Sequence, residues 1–129
     1  MRKQAESWME AASSDLILIE EIQDNELLTH MVAFHSQQAI EKIFKAVLEE
    51  NEERVPKTHD LTTLSEKINK LLNIGFDYDI LDQMNELYIE ARYPTDLGLL
   101  PNGKPTKEVA NQFYKYAKDL YELVEKKYN

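Results

Sequence analysis

The chain has 129 residues, 43% hydrophobic and 30% charged, with three Gly, four Pro, no Cys and a formal net charge of −9. That length suffices for one domain with its own core, and the composition excludes a disordered chain and disfavours an all-β one. Without cysteine there is no disulfide or thiolate zinc site, three histidines give no recognised metal-ligand spacing, and the acidic balance opposes nucleic-acid binding, which draws its affinity from Lys and Arg on phosphates.

The first residues, MRKQAESWMEAASSDL, are basic only at positions 2 and 3 and then mix charge with apolar positions. They point to neither a signal peptide nor a spanning anchor, and a cytoplasmic protein is expected. From residue 4 to 24 the apolar positions Ala5, Trp8, Ala12, Leu16, Ile19 and Ile22 share one arc of a helical wheel at about 100° per residue. Asp15 projects into that arc between Trp8 and Ile22, where an unpaired carboxylate is costly, so it requires a donor or a place at the rim. From 27 to 51 the arc of Val32, Ala39, Ile40, Ile43, Phe44, Ala46 and Val47 is wider than a surface helix needs, and this second helix is expected to be central.

The polar stretch ENEERVPKTHD then reads as a loop in which Thr58 or Asp60 caps a third helix. Leu61, Leu64, Ile68, Leu71 and Leu72 give that helix a narrow stripe, ending at the NIGFD break. A fourth helix is expected from Asp77 to Arg92, since Pro94 biases Tyr93 away from helical geometry. The proline-rich stretch YPTDLGLLPNGKP, residues 93 to 105, is long for a loop between packed helices. Thr106 restarts the chain into a fifth helix carrying Val109, Ala110, Phe113, Tyr116, Ala117, Leu120 and Val124. The expected architecture is all-α: a single-domain, up-and-down four-helix bundle with one additional short helix.

In the second helix, AFHSQQAIEKIFKAVLEE, the side chains of His35, Gln38 and Lys42 fall within about 60° along one edge of the apolar arc. Such a donor-rich edge suits a phosphate or a partner's carboxylate, and it equally suits Asp15, which Lys42 or His35 would neutralise. Arg92 with Tyr93, held by the rigid Pro94, is a second candidate arrangement for anions or nucleobases. His59 and Asp60 in KTHDL complete the candidates, with His59 either bonded to nearby backbone or sharing a pocket with His35.

Taken in order, SWMEAASSDL at 7 to 16, AFHSQQAIEKIFKAVLEE at 33 to 50, KTHDL at 57 to 61 and ARYP at 91 to 94 resemble the HEPN domain family, the higher eukaryotes and prokaryotes nucleotide-binding domain. The resemblance implies a bundle of four long helices and a short one, a tendency to dimerise, and for small prokaryotic members a partnership with a minimal nucleotidyltransferase, often as a toxin-antitoxin pair. It also places His35, Gln38, Lys42, His59, Asp60, Arg92 and Tyr93 among the family's recurring polar residues, with Asp15 as that of the first helix. The family's metal-independent RNA cleavage uses an Arg followed after four to six residues by a His at the end of a late helix. Here YPTDLGLLPNG follows Arg92 and no histidine lies downstream. Arg54 and His59 have the required spacing, but in the loop before the third helix, outside the motif's position. The resemblance therefore implies a non-catalytic binding module, with no cofactor and no assigned catalytic residue, directed at a nucleotide or a nucleotidyltransferase. The alternative is a ribonuclease using Arg92 with His35 or His59.

Overall fold

Helix α1 spans Lys3–Ile22 and buries Ala5, Met9, Ala12, Leu16 and Ile19 together with Asp15. The computed structural model describes residues 1–92 and 104–129, with residues 88–92 described by their backbone alone. After α1 the side chain of Asn25 accepts from the Leu27 N–H at 2.9 Å and closes a single 3₁₀ turn, Glu26–Leu28. That turn delays the second helix by two residues relative to the apolar pattern. Helix α2 then runs Thr29–Glu50.

Helix α2 packs against each of the other four helices, most extensively against α1. Fourteen of its side chains are buried, among them Ile40, Ile43, Phe44, Val47 and Leu48, which answers the unusually wide apolar arc. Helices α1 and α2 are antiparallel: the Arg2 N–H reaches Glu50 Oε1 at 2.8 Å, and Asp15 lies opposite Lys42.

The end of α2 is a Schellman closure. The Glu52 N–H donates to the Glu49 carbonyl at 3.1 Å and the Glu53 N–H to the Leu48 carbonyl at 2.9 Å, while Glu52 adopts the left-handed φ of 56°. Helix α3, Leu61–Leu72, is short and buries one stripe, Leu61, Leu64, Ile68 and Leu72. Asp60 caps it by accepting from the N–H groups of Thr62 and Thr63, and Asn73, at φ 52°, ends it. Helix α4, Tyr78–Arg92, runs back along α3, with Asn85 and Asp82 bonded to the α3 start. In the break between them Phe76 is buried edge-on against Phe44, centroids 5.4 Å apart.

Helix α5, Lys107–Tyr128, begins at a Thr106 cap and buries Ala110, Phe113, Ala117, Leu120 and Val124. It is parallel to α2, since Lys104 reaches the Leu27 carbonyl at one end and Asn51 reaches the Tyr128 hydroxyl at the other. The all-α bundle with one short additional helix is the fold observed, without a strand among the described residues. Among those residues no helix is long and apolar enough to cross a membrane.

Candidate functional site

The buried carboxylate of Asp15 has two donors. Lys42 Nζ lies 2.7 Å from Oδ2, and His35 Nδ1 lies 2.9 Å from Oδ1. An ionised carboxylate only accepts, so Nδ1 carries the proton and Nε2 is the remaining acceptor of a neutral His35 ring. Packing fixes that ring further, since it meets Phe34 edge-on at 5.3 Å between centroids. The cation and the imidazole expected to answer Asp15 thus both do so, at the margin between α1 and α2.

A second cluster, which the apolar pattern does not announce, lies beside the first. Glu41 accepts from Lys45 Nζ at 2.9 Å and from His59 Nδ1 at 2.8 Å. The Glu41 and Lys45 side chains are only 6% and 9% exposed, so this is an interior ion pair and not a surface one. Lys45 Nζ also stands 5.5 Å from the centre of the Trp8 ring. Gln37, fully buried, joins the clusters by donating to the His59 carbonyl at 3.2 Å and accepting from Gln38 Nε2 at 2.8 Å.

Two adjacent stripes account for this arrangement. His35, Gln38 and Lys42 follow the i, i+3, i+7 spacing, and Gln37, Glu41 and Lys45 follow i, i+4, i+8, so a polar strip covers the side of α2 away from its apolar arc. The spacing of the second stripe was visible, but a Glu–Lys pair four residues apart ordinarily reads as solvated; here the loop that carries His59 meets Glu41 and Trp8 of α1 meets Lys45. His59 accordingly faces Glu41, while His35 faces Asp15. Asp60 Oδ1 is engaged by Thr62, Thr63 and Asn85, a helix cap braced from α4. Helix α4 ends at Arg92 as expected; the Arg92 side chain, Tyr93 and most of the proline-rich loop lie outside the described residues.

The strip is charge-neutral: Lys42 is matched by Asp15 and Lys45 by Glu41. Its cations are therefore already engaged within the chain. Among the described residues no group of His, Asp and Glu is arranged to hold a metal ion.

Residues 5–127 match the sequence model of the HEPN domain. The chain belongs to the HEPN domain family. The match takes in every helix and both polar clusters, so the strip is part of a HEPN domain and not an addition to one. The family comprises nucleotide-binding and RNase-type modules, and its domains commonly dimerise. No curated protein and no solved structure matched the chain in the corresponding comparisons.

Proposed function

We propose that this HEPN domain is a non-catalytic binding module of the cytoplasm that dimerises through the α1–α2 margin and pairs, as a dimer, with a minimal nucleotidyltransferase in a toxin-antitoxin type of complex. The observation that carries this reading is the neutral, internally bonded strip of Asp15, His35, Gln38, Lys42 and their neighbours, whose His35 and Lys42 side chains are 18% and 25% exposed at the helix margin. On α1, three residues beyond Asp15, Leu18 is 40% exposed. A polar strip with an exposed leucine beside it has the composition of a protein contact. The sequence adds the missing histidine after Arg92, which removes the family's acid-base group from its motif.

Co-purification with the product of the neighbouring open reading frame tests the proposal. A stable complex that Leu18→Glu disrupts is the expected result. A monomeric protein that ignores this partner contradicts it.

One observation favours a second reading, a metal-independent ribonuclease. Asp15 orients His35 through Nδ1, the arrangement by which carboxylates prepare an imidazole for proton transfer, and Arg92 would supply the cation for a phosphate. His59 on Glu41 is the equivalent pair. Incubation with mixed RNA, beside Arg92→Ala and His35→Ala variants, decides it: cleavage lost in both supports the enzyme, and absence of cleavage by the unaltered protein removes it. A nucleotide held by the module is tested separately, since a ligand of the native state raises the melting temperature.

A further inference from the structure

The cations of the polar strip are neutralised; of the cations that are not, three share one space. Arg54, Lys67 and Lys70 line one cavity of about 260 Å³ together with Glu53, Leu48 and Leu71. Among the described residues none of the three takes part in an ion pair. The cleft's own lining carries three cations and one carboxylate, Glu53. The cavity shares no residue with the strip.

The backbone explains the convergence. The Schellman closure at Glu52 reverses the chain at the end of α2 and brings Glu53 and Arg54 back beside Leu48. Lys67 and Lys70, three residues apart, share one face of α3 with Leu71. Lys70 alone would be accounted for by the negative end of the α3 dipole. Arg54 comes from a separate segment and lines the same space, which dipole compensation does not require.

We propose that this cleft between the end of α2 and α3 binds the di- or triphosphate group of a small ligand. The guanidinium of Arg54 offers a planar fork that grips two phosphate oxygens, and the two ammonium groups supply point charges for the rest of the chain. Buried Leu48 and half-buried Leu71 form an apolar floor that lowers the local dielectric. The volume lies just below the range of pockets that engulf a drug-sized ligand, about 300 to 1,000 Å³, so the cleft takes the phosphate chain and leaves the remainder of the ligand at its mouth. Glu53 opposes the ligand and limits affinity.

Calorimetric titration of the full chain with tripolyphosphate, pyrophosphate and ATP tests this. One site is expected, weakened by salt. The double variant Lys67→Ala, Lys70→Ala, both exposed positions, should lose affinity by about tenfold or more. Glu53→Gln should bind more tightly than the unaltered chain, and Lys115→Ala, an exposed lysine on α5 away from the cleft, should bind equally well. Equal affinity for tripolyphosphate and ATP assigns the site to the phosphate chain alone, and tighter ATP assigns it to a nucleotide; both support the proposal. No heat of binding at millimolar tripolyphosphate, or binding unchanged in the double variant, overturns it. Neither result bears on the oligomeric state, so the cleft and the α1–α2 contact stand or fall separately.

Discussion

Asp15 is the residue at which sequence and structure meet most directly. Its position inside an apolar arc signals that a donor must be present, and the edge of α2 supplies two, Lys42 at 2.7 Å and His35 at 2.9 Å. Removing the carboxylate leaves a half-buried ammonium without its partner. Asp15→Ala is therefore expected to lower stability by about 2 kcal/mol in urea denaturation, with much of the loss recovered in the double variant with Lys42→Met. A change near zero would show that the pair is solvated. His30 behaves differently. Its Nδ1 is buried with no partner among the described residues, and burial, then the nearby Lys104, hold its pKa below the ordinary 6.5. The unfolded chain then takes up the proton first, so the contribution of His30 is complete above pH 6.5 and is lost as the pH falls through the folded-state value. Melting temperatures compared across that window should fall less steeply for His30→Gln than for the unaltered chain. Gln37, Glu41 and Lys45 were not legible as interior residues, because helical spacing reports neighbours on one helix and not the other segments that meet them. Phe76 was hidden in the same way, reading as part of a break when it is a core side chain against Phe44.

At the level of elements, the helix spans follow from apolar periodicity to within a few residues, and the caps follow from residue type. Asp60 and Thr106 cap α3 and α5 as their chemistry requires. Two turns were less legible. The 3₁₀ turn at Glu26–Leu28 depends on one Asn25 hydrogen bond, and the α2 closure places a glutamate in left-handed backbone where glycine is usual. Glu52→Gly relieves that conformation at the loss of an exposed pair with Arg2, 3.4 Å apart. Since exposed pairs contribute little, the variant should be more stable by about 0.5 kcal/mol, read from the urea midpoint. Asp60→Ala should cost about 1 kcal/mol through the lost cap. It should also raise hydrogen exchange at the Thr62 and Thr63 amides before the rest of α3, because those are the groups it satisfies.

For the molecule as a whole, one central helix presents an apolar arc to the core and a neutral polar strip to its margin. Helix α1 runs against α2 and α5 runs with it, and the polar groups between α1 and α2 are satisfied within the chain. The family was legible because four separated motifs recur in order, and the domain match confirms it over residues 5–127. A partner was not, since the chemistry that selects one lies on the partner. Sedimentation equilibrium of the unaltered chain and of Leu18→Glu measures this claim most directly. The account predicts a mass twice the 15.1 kDa of the chain, returning to the single-chain mass in the variant. A single-chain mass for the unaltered protein at micromolar concentration, or a dimer indifferent to a charge at position 18, would contradict it.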